Sequence, residues 1–441
     1  MVLRATTTAA PRRPSSDALL GLFPPGTTTA PDGALRIGGC HVADLAARHG
    51  TPALLIDEDA LRSRARRYAD GLAARRPETR VAFASKAFPC TAVYRLLAEE
   101  GLGVDVASGG ELALALAAGT DPAQVIVHGN AKTDDYLRAA VEAGVGLVVI
   151  DNSDDIDRLE GILADTPGHR QPVLVRVTPD VRPDTHEAVS TGQRGSKFGL
   201  LLPQAREAIA RLRGSARLRL DGLHVHIGSQ ILDTEPFVRA VAAVAELGRF
   251  PVYDLGGGLG ARYTYDDRPP TVEAYLDALA SAADALLPAD ARVIIEPGRS
   301  MVAEAGVSLY RVVTVKRAGG EAVVAVDGGM GDNLEVSLYG QRFEATVATR
   351  PGHGSDGSGG ELCRVVGRHC ESGDVLSAGV LLQDPRPGDL IAVPATGAYT
   401  YSLANNYNAA RRPPVVFCRD GRSRPVVRRE TYADLMRRDL P

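Results

Sequence analysis

The sequence is short of lysine, of surplus charge, of paired cysteines and of long apolar runs, and each shortage excludes something. Of its 50 basic residues only four are lysines, Lys86, Lys132, Lys197 and Lys316. Arginine therefore meets the surface demand for cations, and a lysine here is less apt than usual to be surface filler. With 54 acidic residues the net charge is −4, without the basic excess of a nucleic-acid-binding chain. No apolar stretch is long enough for a membrane-spanning helix. The five cysteines (Cys40, Cys90, Cys363, Cys370, Cys418) are odd in number and form no CxxC pair. That pattern suits the reducing cytoplasm rather than a disulfide framework, and no metal site is expected. Hydrophobic residues, at 44%, are enough for a sizeable core, which excludes global disorder. A chain of 441 residues suits two or three domains.

Residues 1–33 are rich in Thr, Ala and Pro and are expected to form a disordered tail. Their best apolar run, 18–23, is too short for a signal-peptide core. Because the stretch is also poor in acids, an organellar transit peptide is the weaker alternative to a cytoplasmic protein. From about residue 80, β-branched runs alternate with stretches of helical period. Candidate strands are 81–85, 103–107, 124–128, 146–150, 172–178, 221–226, 251–255 and 292–296. Helix-period segments lie between them at 109–118, 133–143, 203–212 and 235–247. Eight strands with intervening helices predict a (β/α)8 TIM barrel over residues 58–305. After about residue 305 the texture changes to alternating runs (308–315, 322–326, 341–347, 390–393, 415–418) with Gly/Ser-rich turns such as 351–360. This predicts a C-terminal antiparallel β domain over 306–441, joined by the segment 34–57 and closed by a helix at 431–439.

Barrels of this type gather their functional groups at the carboxyl ends of the strands, and the unusual residues fall there. The first strand ends in Lys86, and the second runs through Asp105 to Ser108 and Glu111. The sixth carries His224 and His226 and continues to Ser229. The seventh ends in Gly256, Gly257 and Gly258, and the eighth in Glu296, Gly298 and Arg299. Three successive glycines let the backbone approach an anion and aim N–H groups at it. Phosphate is the favoured ligand over a tight structural turn. A dinucleotide (GxGxxA) reading lacks its acidic partner on a following strand. Lys86 closes an apolar strand, where burial would lower its pKa and favour a nucleophilic amine. A nucleophilic lysine, a phosphate site and a carboxylate (Glu296) able to face a ring nitrogen together define a pyridoxal phosphate pocket. His226 is placed to stack on the ring.

These residues sit in motifs that resemble the fold-type III pyridoxal-phosphate-dependent decarboxylases, most closely those acting on diaminopimelate in actinobacteria. The resemblance runs from about residue 37 to 431 and rests on VAFASKAF, DVASGGELALAL, HGNAKT, THEAVSTGQRGSKFGL, GLHVHIGSQI, DLGGGLG, EPGRS, VDGGMGDN, GRHCESGDVL and ATGAYTYSLANNYN. It implies an alanine-racemase-like barrel with a β domain. It implies that Lys86 carries the cofactor covalently, that His226 packs on its ring, and that Ser229, Gly256–Gly258 and Gly298 hold its phosphate. Asp105 would lie beside the cofactor, Glu296 would face the pyridine nitrogen, and Tyr399 would meet both cofactor and substrate. Arg299 and Tyr339 would bind the substrate's far carboxylate. Cys370 and Glu371 would cross a homodimer interface, the cysteine in proton delivery and the glutamate at the substrate's far end. The implied reaction is decarboxylation of meso-diaminopimelate to L-lysine, within lysine biosynthesis. A racemase of this fold would place arginine against the pyridine nitrogen, and a silent regulatory homologue would not retain Lys86, Glu296 and Cys370.

One position departs from the pattern. The family usually has an arginine for the distal carboxylate shortly before the LYG triplet, and this chain has Glu335 there. Losing that charge-assisted hydrogen bond costs roughly 1.5–3 kcal/mol, and two desolvated carboxylates face to face are worse. Either Glu335 points to solvent and Arg299 suffices, or the substrate is a related diamino or guanidino acid with a different distal group. Phe83, where a tyrosine is commoner, changes little.

Overall fold

The structure, a computed structural model, describes residues 19–165, 168–181, 191–193, 195–351 and 360–440. The chain divides into two units, one of Arg62–Ala261 and Arg268–Val302, the other of Met1–Leu61, Arg262–Asp267 and Ala303–Pro441. Four strands come first in the chain, β1 (Thr28–Thr29), β2 (Leu35–Ile37), β3 (Cys40–His41) and β4 (Ala53–Asp57). They belong to the second of these units.

Eight strands follow: β5 (Thr79–Ala84), β6 (Gly103–Val106), β7 (Val125–Val127), β8 (Leu147–Ile150), β9 (Gln171–Val177), β10 (Leu218–Val225), β11 (Val252–Asp254) and β12 (Arg292–Ile295). They close a parallel barrel in the order β10-β11-β12-β5-β6-β7-β8-β9, so each of the eight expected strands is present. β7 and β8 read VIV and LVVI and are buried throughout, as strands covered on both faces must be. Ala82, Ile126, Leu147, Val149, Leu174, Val252 and Ile294, drawn from β5, β7, β8, β9, β11 and β12, form one buried cluster.

Four of the helices between barrel strands are started by side-chain caps. The Ser108 hydroxyl accepts from Glu111 N, and the Glu111 carboxylate reaches back to Ala107 N at 2.7 Å, a reciprocal arrangement that satisfies two orphan donors. Thr133, Asn152 and Thr271 cap helices Asp134–Ala143, Ser153–Ile162 and Val272–Leu286, each side-chain oxygen accepting one backbone N–H of the first turn. The first three of these caps follow closely on β6, β7 and β8, so those helices begin at the carboxyl end of the barrel.

The other unit is built on β4 together with β13 (Gly306–Ala318), β14 (Glu321–Val326), β15 (Thr346–Val347), β16 (Glu361–Val366), β17 (Val375–Leu382), β18 (Leu390–Pro394), β19 (Val415–Arg419) and β20 (Arg422–Val427). Its sheet runs β17-β16-β14-β13-β4-β19-β20, with β18 pairing β13 and β15. The expected antiparallel sheet is mixed, because β14 pairs β16, and β4 pairs β19, in parallel. Neither pair is consecutive in the chain, so no hairpin turn imposes an antiparallel partner. The expected strand at 341–347 shrinks to β15, and just before it Glu335–Tyr339 is a short helix. Most of the expected turn at 351–360 lies outside the described residues. The closing helix is Tyr432–Met436.

The expected tail needs correction. Residues 1–18 lie outside the described residues, but residues from Leu19 onward are folded. Leu19 and Phe23 join the buried cluster of Leu35, Ile37, Leu45, Leu55, Val307 and Leu390, Leu22 is buried, and β1 pairs with β2. The spacing of Leu19, Leu22 and Phe23 makes a one-sided apolar stripe. The surrounding Thr and Pro outweighed it in a reading by composition.

Candidate active site

The carboxyl end of the barrel is organised around Glu296. It directly follows β12, and its backbone N–H bonds Gly256 O at 2.8 Å. The Pro297 carbonyl accepts from Ala84 N at 3.2 Å. A Cβ on Gly298 would stand 3.0 Å from the Ala84 side chain, so the Glu-Pro-Gly turn packs directly on the end of β5. Lys86 sits on the next turn, Ser85–Ala87. It is exposed, contrary to the expectation of burial, because it lies on the turn after the strand rather than within it. Its charge is still felt below, where it pulls down the pKa of both Asp105 and Glu296.

Beneath Lys86 the groups are buried. His128 Nε2 meets Glu296 Oε1 at 2.6 Å, and His224 Nε2 meets Glu296 Oε2 at 3.2 Å. Asp105 Oδ1 lies 3.9 Å from His128 Nε2. Burial pushes the Glu296 carboxyl up to about 7, against the opposing pull of Asp254, Lys86 and Arg176. Burial likewise raises Asp105 to about 7. Burial, then His128 and Arg176, hold His224 well below the usual imidazole range, so at neutral pH it is an uncharged donor to Glu296.

His226 follows β10 and is half-buried. Its Nδ1 accepts from Gly257 N at 3.3 Å, which fixes the ring and leaves the proton on Nε2. Burial and the Lys86 charge hold its pKa well below the ordinary value. Gly256 and Gly258 have φ of +65° and +125°, conformations that side chains strain to adopt. A Cβ on Gly257 would sit 2.0 Å from Glu296 O. The three glycines thus form a backbone cradle beside His226. Arg299 Nε donates to Ser229 Oγ at 3.1 Å, and Arg299 is buried.

The remaining expected site residues lie in the other unit. Cys370 is exposed while Cys40, Cys90, Cys363 and Cys418 are buried, so Cys370 is not a small core hydrophobe. The Tyr407 hydroxyl bonds the adjacent Glu371 carboxylate. Tyr399 precedes helix Thr400–Leu403 with φ of 57°, a left-handed backbone that costs energy in a tyrosine. Tyr339 ends helix Glu335–Tyr339 and is half-buried. Glu335 is 1% exposed, so the reading that it points to solvent is wrong: its position on the first turn of a packed helix turns it inward.

Sequence reasoning passed over His128, Asp254 and Arg176. His128 follows β7 within HGNAKT, and Asp254 ends β11 just before the glycines, so the strand-end rule applied to every strand would have marked both. His128, His224, Asp254 and Glu296 offer ligand atoms all within 4.8 Å of one another, a metal-capable set that their scattered sequence positions conceal. Among the described residues no helix is long and apolar enough to cross a membrane.

Residues 58–303 match the family model described as "Pyridoxal-dependent decarboxylase, pyridoxal binding domain". Diaminopimelate decarboxylase of Actinosynnema pretiosum subsp. auranticum is 47% identical over 436 residues, covering 95% of either chain. That of Bacillus subtilis is 42% identical, over 93% of this chain and 96% of its own. The solved structure of diaminopimelate decarboxylase from M. jannaschii in complex with L-lysine has a TM-score of 0.87 at 31% identity, covering 94% of this chain and 98% of that one.

Proposed function

Because this chain belongs to the pyridoxal-dependent decarboxylases, within the diaminopimelate decarboxylases, we propose that its site works as follows. The enzyme is a carboxy-lyase that uses pyridoxal phosphate and converts meso-diaminopimelate to L-lysine and carbon dioxide. The carrying observation is the exposed Lys86 on the turn after β5, packed against the turn that holds a buried Glu296 between two histidines.

The residues present fit pyridoxal phosphate. The Gly256–Gly258 turn, with left-handed φ at Gly256 and Gly258 and no space for a Cβ at Gly257 against Glu296 O, is a bare backbone that a phosphate would approach closely. Gly298 and Ser229 extend that phosphate site. His226, held by Gly257 N–H, presents its ring face, and Glu296 presents a carboxylate to a ring nitrogen. Lys86 supplies the amine that holds the group covalently. Bound there, the cofactor supplies an electron sink for the pair released when a Cα–carboxylate bond breaks.

Each of the chain's own groups has a bounded task. Glu296 keeps negative charge opposite the ring nitrogen. Asp105, beside His128, adds a second carboxyl to the same buried group. The Lys86 amine, when free, would also serve as an acid or base at the site. Cys370, exposed on the other unit, delivers the proton that replaces the lost carboxylate. Arg299, Tyr339, Tyr399 and Glu371 bind the amino acid. Cys370 and Glu371 come from the partner copy of a homodimer with shared sites, and the enzyme works in the cytoplasm.

Buried Glu335 favours a second reading of specificity: a substrate whose distal end carries an amine or guanidinium instead of a carboxylate. The function is tested by titrating the purified protein with pyridoxal phosphate. One equivalent per chain should bind and give a visible absorbance band that Lys86→Ala loses together with turnover. An unaltered band and turnover in Lys86→Ala would contradict the assignment.

A further inference from the structure

Asp254 takes no part in the proposed chemistry, yet its carboxyl is held among the groups that do. It ends β11, where the parallel register sets it beside His224 of β10 and Ile294 of β12. Glu296 follows two residues after Ile294. Asp254 is 1% exposed, and its Oδ1 accepts Gly256 N at 2.9 Å, which orients the carboxyl. Its Oδ2 meets no N–H or hydroxyl donor among the described residues. The neighbouring carboxyl is that of Glu296, within the same 4.8 Å cluster. Two carboxyls so close in a buried site cannot both ionise cheaply, and they hydrogen-bond only if one keeps a proton. Burial, reinforced by Glu296, keeps that proton on Asp254.

A carboxylate offers roughly four lone-pair sites. On Glu296, His128 takes one at Oε1 and His224 one at Oε2. His224 Nδ1 has no partner among the described residues, so an imidazolium there would bury an unsatisfied N–H. The surrounding titratable and charged groups are Asp105 from β6, His128 after β7, Arg176 from β9, His224 and His226 at the end of β10, Arg80 from β5, Lys86 after it and Tyr275 from helix Val272–Leu286.

Resting on the reading that this barrel end binds pyridoxal phosphate, we propose that Asp254 is a positioning residue. It donates a carboxyl hydrogen bond to Glu296 and, with His128 and His224, leaves that carboxylate one acceptor site, which a ring nitrogen would take. The proton stays on Asp254, and no bond is made or broken there. The four clustered groups act together to lock the rotation and the charge of Glu296.

The test compares wild type, Asp254→Ala and Asp254→Asn, each purified with pyridoxal phosphate. It reads the cofactor dissociation constant, the pH midpoint of the visible band, and kcat and KM separately. Asparagine accepts from Gly256 N–H through its carbonyl and donates to Glu296 through its amide, so it mimics a protonated aspartate and not an ionised one. Asp254→Ala is expected to weaken cofactor binding about 10–100-fold, to shift the midpoint, and to lower kcat with little change in KM. Asp254→Asn is expected to keep the dissociation constant within about threefold and the midpoint in place.

Asparagine as damaging as alanine in these two readouts, or alanine indistinguishable from wild type, would overturn the proposal. A stoichiometric metal ion in the holoenzyme that is lost in Asp254→Ala would also overturn it, by making the four groups ligands. If Asp254→Ala does not fold by circular dichroism, Asp254→Asn decides alone, a loss of about tenfold or more counting against. A wild type that takes up no pyridoxal phosphate would instead defeat the underlying reading, which is a separate outcome.

Discussion

At Glu335 a carboxylate is held out of solvent at a position where the family resemblance expects a guanidinium. Reversing that charge is the sharpest single-residue test of what the distal end of the substrate meets. If Glu335 faces a distal carboxylate, Glu335→Arg should lower KM for meso-diaminopimelate about tenfold or more, the worth of a charge-assisted hydrogen bond. Steady-state kinetics checks this, and an unchanged KM would remove Glu335 from the substrate site.

Lys132 illustrates the opposite use of a buried charge. Its Nζ lies 2.6 Å from Asp155 Oδ2 with both side chains fully buried, and it also bonds Gly129 O. Lys132→Met would leave the Asp155 carboxylate with only the more distant Arg158, at 3.6 Å, as ion-pair partner among the described residues, and cost up to about 3–5 kcal/mol, measured as a fall in denaturant midpoint.

The rarity of lysine pointed to Lys86, and it placed Lys132 in a motif without revealing a buried ion pair. The strand-end rule would have marked His128 and Asp254, but not their partners. Barrel closure, which no single segment encodes, brings both to Glu296.

At the scale of elements, the barrel strands were legible because burial on both faces leaves continuous β-branched runs, as in VIV of β7 and LVVI of β8. The sheet of the other unit was less so. Its parallel pairs β14–β16 and β4–β19 join segments far apart in the chain, which alternation of residues along one strand does not encode. The N-terminal stretch was misread because three apolar residues decide its fate against a background of Thr and Pro. Leu19, Leu22 and Phe23 are 5%, 2% and 4% exposed. Deleting residues 1–33 should therefore destabilise the protein, at about 1.5–3 kcal/mol for each such side chain removed from the core. Thermal denaturation of the truncated chain checks this, and an unchanged midpoint would mean that the segment contributes no net stability.

For the whole molecule, the buried carboxyls of the barrel set a dependence of stability on pH. Asp105 and Glu296 titrate at about 7 in the folded protein, against roughly 4 when unfolded. Between those values the folded form binds more protons, so this contribution is fully present below the unfolded value and is lost as pH rises through 7. His128, His224 and His226 are shifted down and act in the opposite sense only below roughly 6.5. Burial also raises Glu344 in the other unit to about 7, a background that barrel variants share. Freed of pyridoxal phosphate, the protein should lose stability as pH rises from about 6.5 to 8, with a flatter profile in Glu296→Gln. Rising wild-type stability across that window would contradict the burial assigned to these groups.

The central claim concerns chemistry, and one assay reaches it directly. Carbon dioxide release and product formation are followed from meso-diaminopimelate, lysine, ornithine and arginine with enzyme saturated in pyridoxal phosphate. The account predicts that diaminopimelate is turned over fastest, yielding lysine and carbon dioxide in equal amounts. Release from another of these amino acids, with diaminopimelate left intact, would contradict it and pass the specificity to Glu335.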